Sequence, residues 1–190
     1  MINKNIIQDI PVSDSPNNDA FEAIVELYYQ LNGFITSSGK WFWYAQKGKQ
    51  QRGYQDFDVL AINGQETVIV SVSSNLDNKL SFKRSGEINE EQLTHLKAFF
   101  DRSEEYLKTV HEYKWIIGQK REIKRVVAYL GAQKRRLEDI RNCLIKNSID
   151  LLASDKIVKF ILIYLENNKN LKVQDQTLRM LQVLKHNEMF

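Results

Sequence analysis

Apolar residues in the first third of the chain recur first at helical spacing and then at strand spacing. In AFEAIVELYYQL they repeat every three or four positions: Phe21, Ile24, Val25, Tyr28 and Leu31. This spacing predicts a helix that Asp19 caps and Asn32-Gly33 ends. The next stretch, GFITSSGKWFWYAQ, is rich in aromatic and β-branched residues and predicts a strand, or a hairpin broken at SSGK.

Two further strands follow a loop, KGKQQRG. The stretches DFDVLAI and TVIVSVSS are joined by NGQE, and Asn63-Gly64 favours a tight hairpin because both residue types tolerate positive φ. The second of these strands is almost continuously Val and Ile before its serines, which is typical of a strand buried on both faces. We therefore expect it to lie centrally in the sheet.

Helices and strands alternate in the second half of the chain. The pattern predicts a helix over residues 89 to 110, a strand at IKRVVAYLG, a helix at QKRRLEDIRNCLIKNS, a short strand at IDLLA and a helix at DKIVKFILIYLEN capped by Ser154. A last amphipathic helix is predicted over about residues 175 to 186. Such alternation indicates parallel pairing after an antiparallel start. The predicted fold is α/β, with a mixed sheet of four to five strands flanked by helices and an extra C-terminal helix.

Length and composition agree with one packed domain. The chain has 190 residues, 43% of them hydrophobic and only two of them proline. We expect an extension over residues 1–18, a domain over 19–168 and a helical extension over 169–190. No stretch approaches the roughly 18 to 20 apolar residues of a spanning helix, and the N-terminus lacks the apolar run of a secretory signal, so a cytoplasmic protein without membrane contact is expected.

The cysteine and histidine residues do not indicate a disulfide or a metal site. Cys143 is the one cysteine, which leaves neither an intrachain disulfide nor a thiolate zinc site, and we interpret it as a small core residue. His95, His111 and His186 have no histidine or cysteine at ligand spacing. A zinc site is not expected.

Charge is distributed unevenly along the chain. Residues 1–78 hold five Lys/Arg against nine Asp/Glu, whereas residues 120–146 hold nine against three. A metal-dependent nucleic-acid enzyme needs carboxylates to hold the cation and Lys/Arg to contact phosphates. The alternative interpretation is an ordinary solvated helix face.

Three stretches, FEAIVELYYQLNGF, QDFDVLAI and VIVSVSSN, stand in an order that resembles the PD-(D/E)XK superfamily of restriction-endonuclease-like nucleases, over roughly residues 19 to 165. In that family the first helix supplies a glutamate, the head of a strand supplies an aspartate, and the next strand supplies Glu-x-Lys. The resemblance implies a restriction-endonuclease-like core with Glu22 and Asp58 as metal ligands, and Glu26 as a reserve on the same helix face. Carboxylates suit Mg²⁺, and the lysine orients the attacking water.

The Glu-x-Lys motif itself is replaced. Ser71 and Ser73 stand where the family has its carboxylate and its ammonium, and neutral hydroxyls substitute poorly for either. Two replacements are conceivable from the following loop and helix. Lys79 or Lys83 could return an ammonium, and a carboxylate could come from Glu87, Glu90 or Glu91. The alternative is an ordinary charged surface loop.

Further residues could contact nucleic acid. The basic candidates are Lys47, Lys49, Arg52, Lys83, Arg84, Lys134, Arg135 and Arg136. Trp41 and Trp43 share a strand face and could stack on unpaired bases or pack in the core. Asp56 and Asp58 are expected on one face, as a metal pair or as an exposed acidic strand end.

Three functional hypotheses follow. The first is a catalytically degenerate nuclease that binds nucleic acid, with DNA expected ahead of RNA, in mobile-element or defence-related DNA metabolism. The second is an active, divergent endonuclease that hydrolyses phosphodiester bonds with Mg²⁺, using Glu22, Asp58 and a relocated lysine. The third is a non-catalytic assembly module that forms a homodimer or binds a partner protein through the C-terminal helix. Only the second requires Mg²⁺, and we expect no other cofactor.

Overall fold

Five strands form one mixed sheet with helices on both faces. The computed structural model describes residues 20–45, 52–109, 122–168 and 179–181. The strands lie side by side in chain order: β1 (Ile35–Ala45), β2 (Arg52–Ile62), β3 (Glu66–Asn75), β4 (Glu122–Gly131) and β5 (Ile149–Ala153). The helices are α1 (Ala20–Leu31), α2 (Leu76–Lys79), α3 (Glu90–Thr109), α4 (Leu137–Lys146) and α5 (Ser154–Asn167), and one 3-10 turn spans Lys134–Arg136.

Strand directions follow the predicted arrangement. β1, β2 and β3 pair antiparallel, whereas β3, β4 and β5 pair parallel through helical crossovers. The predicted fold class, an α/β protein with a mixed sheet flanked by helices, is confirmed. The restriction-endonuclease-like identity of this core and the three domain boundaries stay predictions.

The sheet separates two hydrophobic cores. Helices α2, α3 and α4 cover one face, where Phe57, Phe100 and Ile140 are fully buried; we call this the α3 side. Helices α1 and α5 cover the other face around Val70 and Ile161, which we call the α1 side. β3 is buried throughout Thr67 to Ser73, because it has a strand on each edge and helices on both faces. Its predicted central position is confirmed.

The ends of the chain agree with the sequence patterns where they are described. α1 ends at Leu31, and Gly33 just after it has a φ of 82°, which lets the Phe34 N–H donate to the Tyr29 carbonyl at 3.1 Å. Residues 179–181 are helical, and Leu181 packs into the α1-side core. Asp19, the predicted cap, and the rest of the predicted C-terminal helix lie outside the described residues.

Two local predictions are wrong in mechanism. The β2–β3 hairpin forms, but neither Asn63 nor Gly64 has positive φ; instead the Asn63 side-chain oxygen accepts the N–H groups of Gln65 and Glu66 at 2.8 and 2.9 Å. Ser154 does not cap α5, because Ala153 occupies the cap position and the Ser154 hydroxyl donates to the Leu130 carbonyl. In both places a short polar side chain hydrogen-bonds a backbone group other than the one that the prediction assumed.

β1 is one unbroken strand and not a hairpin, yet both β1 and β2 exchange faces at one point. Thr36, Ser38 and Phe42 are separated by even numbers of residues, so a regular strand would place them on one face. Thr36 and Ser38 instead bond Glu26 on the α1 side, whereas Phe42 packs on the α3 side. Gly39, with φ of 61°, faces Asp58 there, and theirs is the single position that the β1–β2 ladder skips between its ends. A glycine permits this left-handed conformation without a Cβ clash.

Candidate functional site

Asp58 lies where β2 and β3 separate. Their ladder ends at the Val59–Val70 pair, and the Asp58 carboxylate turns into the opening. Its Oδ2 accepts the Val72 N–H at 2.6 Å and the Ser71 hydroxyl at 3.2 Å. The side chain therefore takes the acceptor role that a backbone carbonyl of β2 would have in a continued ladder.

Lys79 brings an ammonium to this carboxylate. The Asn75 side chain caps the short helix α2 by accepting the Asp77 N–H, and Leu76 and Leu80 anchor the helix in the α3-side core. Lys79 Nζ then lies 3.7 Å from Asp58 Oδ2. Of the two lysines that the sequence offered as replacements, Lys79 contacts Asp58, whereas Lys83 is exposed on the following loop.

The protonation of Asp58 reflects two opposed effects. Burial raises the pKa of this carboxyl above its ordinary value, because the charged form loses hydration. The Lys79 ammonium and the Val72 N–H lower the pKa and offset part of that rise, while the nearby Asp56 raises it further. The site thus combines a desolvated carboxyl group with the Lys79 ammonium.

The other residues of the predicted catalytic set are distributed differently. Glu22 is half-buried on α1, which packs on the opposite face of the sheet from α2 and Lys79. Glu26, the reserve, accepts the hydroxyls of Thr36 and Ser38 at 2.8 Å and so holds β1 against α1. The buried Ser73 donates its hydroxyl to the Asn75 carbonyl at 2.7 Å.

Asp56 and Asp58 do not share a face as predicted. Gln55 bonds α3 residues and Phe57 packs on the α3 side, so Asp56 between them points away from α3. Asp58 bonds Ser71 and Lys79 after the face exchange described above. The prediction assumed regular alternation, which Gly39 and Asp58 interrupt.

Basic residues from two separate segments meet next to this site. Phe82 and Ile88 form a bridge that closes a small loop, and the Arg136 guanidinium lies 4.7 Å from the centre of the Phe82 ring. The Gln133 N–H also donates to Asp77 on α2 at 3.3 Å. The exposed cations on these segments define the basic rim: Lys83, Arg84, Lys134 and Arg135.

The basic rim and Lys79 occupy one end of the sheet. β3 and β4 are parallel, and their last pair joins Asn75 to Gly131. The chain continues from Asn75 into α2 and the Phe82 loop, and from Gly131 into the 3-10 turn. Both segments therefore follow the carboxyl ends of adjacent parallel strands, where ligand sites of α/β proteins commonly form.

Several other candidates are elsewhere or outside the description. Lys47, Lys49, His111 and His186 lie outside the described residues, and of Arg52 only the backbone pairing with Ala45 is described. Glu87, Glu90, Glu91 and His95 are exposed, with Glu87 accepting the Ser85 hydroxyl. Cys143 is partly buried against the α3-side core, as interpreted. Trp41 and Trp43 are exposed, so their core-packing alternative is wrong.

The residues in place around Asp58 do not fit a resident Mg²⁺ ion. Such an ion needs several converging oxygen ligands, usually with one or two carboxylates free to bind it. Asp58 Oδ2 instead accepts a backbone N–H and a hydroxyl and contacts an ammonium. Within the described ranges no three His, Cys, Asp or Glu side chains group as metal ligands.

Some structural roles at the site were not foreseen from the sequence. Asn75 caps α2, which its place before LDNK would have suggested. Arg136 fixes the Phe82 loop, and no local pattern pairs residues so distant in sequence. Tyr54 joins Trp41 and Trp43 on one face, and the strand register alone makes that neighbourhood visible.

Comparison with protein-family models, curated proteins and solved structures gave no match to this chain. In the described part of the chain, no helix has both the length and the apolar character needed to cross a membrane.

Proposed function

We propose that this chain is a restriction-endonuclease-like protein that binds nucleic acid and does not cleave it. The observation that carries the proposal is the group of Asp58, Ser71 and Lys79 beside the basic rim. A carboxylate bound by a hydroxyl, an N–H and an ammonium is held in place. The cations of the basic rim are exposed, so phosphates can reach them.

The order of elements supports the assignment to this class. A helix, three antiparallel strands, a helix and a parallel strand succeed one another as the resemblance implies. Asp58 stands on the second strand, and Ser71 faces it from the third, at the position where the superfamily carries its carboxylate. The proposal therefore interprets the serines as replacements within a retained frame.

The expected interaction is chiefly electrostatic. Each Lys or Arg that neutralises a phosphate releases counterions, so the slope of log affinity against log salt is about −0.9 per contact on duplex DNA. With the four rim cations engaged, the slope would be about −3 to −4. Binding should thus be strong at low salt and weak at physiological ionic strength.

Fluorescence anisotropy with labelled oligonucleotides tests this proposal. A double variant, Lys134→Glu with Arg135→Glu, should weaken binding at least about tenfold and reduce the salt slope by about 2. The control is Lys146→Glu with Lys159→Glu; both lysines are exposed, Lys146 at the end of α4 before β5 begins and Lys159 in the middle of α5. Failure of the wild type to bind at low salt, or equal losses in both double variants, would contradict the proposal.

A second candidate function is favoured by the Lys79–Asp58 contact of 3.7 Å. An ammonium at that distance could stabilise negative charge that develops on a phosphate, as the family's lysine does, in an active divergent endonuclease. It predicts that the protein nicks plasmid DNA with Mg²⁺ or Mn²⁺ and that Asp58→Asn and Lys79→Met each abolish nicking. Equal nicking by the wild type and both variants would indicate a contaminant, and no nicking would favour the non-cleaving function.

A further inference from the structure

Past the Val59–Val70 pair, β1 and β2 separate from β3 and continue as a two-stranded arm. The β2–β3 ladder stops at Val59–Val70, whereas the β1–β2 ladder continues to Ala45–Arg52. We define the aromatic arm as residues 40–45 with residues 52–57. At about 3.3 Å per residue, it projects roughly 20 Å past the point where Asp58 leaves the ladder.

One face of the aromatic arm is fixed to α3. Phe42 stacks on Tyr106 with ring centres 4.4 Å apart, and the Arg102 guanidinium lies 4.4 Å from the centre of the Tyr44 ring. Gln55 Nε2 donates to the Ser103 hydroxyl at 2.8 Å. These contacts hold the arm in a defined position, so the residues on its other face are presented to solvent.

That other face carries three exposed aromatic rings. Trp41, Trp43 and Tyr54 are 56%, 65% and 61% exposed. The Tyr54 ring centre lies 5.2 Å from that of Trp41 and 5.8 Å from that of Trp43, so the rings form one continuous surface. An exposed apolar patch rimmed by polar groups usually marks a binding surface.

The arm points toward the same end of the sheet as the basic rim. β1 runs antiparallel to β2, and β2 runs antiparallel to β3, so β1 and β3 run in the same direction. The carboxyl-terminal half of β1 therefore lies at the end where β3 and β4 lead into Lys79 and the basic rim. The rings lie on the face of the arm away from α3, whereas α2 and the Phe82 loop pack on the α3 side, so a ligand that contacts both must pass around this end of the sheet. A flexible strand with flat apolar bases on an anionic backbone matches that arrangement.

From this arrangement, we propose that Trp41, Trp43 and Tyr54 stack on unpaired bases of a nucleic-acid strand whose phosphates contact the basic rim. The inference rests on the proposed nucleic-acid binding and narrows its ligand to single strands or duplexes with a single-stranded tail. In an intact duplex the faces of the bases are stacked on one another and closed to side chains. Stacking on an aromatic ring is sequence-tolerant, because every base has a π face.

The test compares a single strand of about 20 thymidines, the same length of uridines, and a blunt duplex of about 20 base pairs at low salt. The wild type should bind both single strands more tightly than the duplex, with quenching of tryptophan fluorescence. Trp41→Thr and Trp43→Thr should each weaken single-strand binding about tenfold and leave duplex binding nearly unchanged. Threonine keeps the strand propensity of the site.

Ile35→Thr is the matched control, because Ile35 is 81% exposed at the other end of the same strand. It should bind every ligand like the wild type. If both tryptophan variants keep wild-type affinity for single strands while the rim variants lose binding, the stacking inference is wrong and nucleic-acid binding stands. If the wild type binds none of the three ligands, the proposed function fails as well. If the tryptophan variants lose a self-association that the wild type shows in light scattering, and keep wild-type nucleic-acid binding, the aromatic face contacts protein instead.

Discussion

The Lys79–Asp58 ion pair fixes α2 against the end of β2, and a double-mutant cycle measures its energy. The cycle compares the wild type with Lys79→Met, with Asp58→Asn and with the double variant. Methionine keeps most of the lysine stem, and asparagine keeps an oxygen that can accept the Val72 N–H. Each single variant therefore removes one charge with little change in packing.

The magnitude follows from the distance and the exposure of the pair. Unit charges 3.7 Å apart attract by about 4.5 kcal/mol at an effective dielectric constant of about 20. The side chains are 32% and 17% exposed, so solvent screens part of that attraction. Exposed pairs contribute about 0.2 to 1 kcal/mol and broken buried pairs cost about 3 to 5 kcal/mol. We expect a coupling free energy of about 1 to 2 kcal/mol.

Urea unfolding of the four proteins, at low salt and over a range of pH, gives the coupling free energy directly. The coupling requires ionised Asp58, so it should be complete near neutral pH and lost as pH falls through the pKa of this carboxyl. Since burial raises that pKa, the loss should begin at a higher pH than for an ordinary aspartate, whose pKa is about 3.9. A coupling below about 0.3 kcal/mol, or one that does not change with pH, would refute the proposed geometry.

Two further substitutions test the sheet that carries the site. Thr67 is fully buried in β3, and its hydroxyl has no hydrogen-bond partner in the described part of the chain. Thr67→Val should therefore raise the free energy of unfolding by about 1 kcal/mol in a urea titration. A lower free energy of unfolding would indicate that the hydroxyl is hydrogen-bonded. Gly39→Ala places a Cβ on a residue with φ of 61° and should lower the free energy of unfolding by about 1 to 2 kcal/mol. The control is Gly64→Ala: Gly64 does not have positive φ and a Cβ there would meet open space, so the free energy should change by less than about 0.5 kcal/mol. Equal effects of the two alanines would show that Gly39 is not conformationally required.

The sequence predicted those features that depend on local periodicity. The Val/Ile run of β3 identified the central strand, because only a strand covered on both faces can be so uniformly apolar. Gly33 marked the end of α1, because the left-handed residue there favours glycine. Because each of these signals is contained in a few neighbouring residues, it can be recognised without knowledge of the tertiary structure.

The candidate site depends on features that no local pattern encodes. Lys79 reaches Asp58 because α2 turns back over the end of β3, and a four-residue helix has almost no periodicity to recognise. The exchange of faces at Gly39 and Asp58 puts Asp56 and Asp58 on opposite faces of the sheet, so the prediction that they share a face was wrong. Likewise the exposure of Trp41 depends on which part of its sheet face a helix covers, which the sequence of its own strand does not reveal.

Charge balance at Asp58 distinguishes the two functions proposed for this fold. A metal-dependent nuclease keeps converging carboxylates, whose mutual repulsion and whose repulsion of phosphate are relieved when Mg²⁺ binds. Here Lys79 offsets the charge of Asp58 directly, so a phosphate can approach the basic rim without a divalent cation between them. The non-cleaving function therefore predicts that Mg²⁺ at constant ionic strength leaves oligonucleotide affinity unchanged, as measured by anisotropy. Tighter binding with Mg²⁺ in the wild type, absent in Asp58→Asn, would instead show that the carboxylate exchanges Lys79 for a metal and would support the endonuclease.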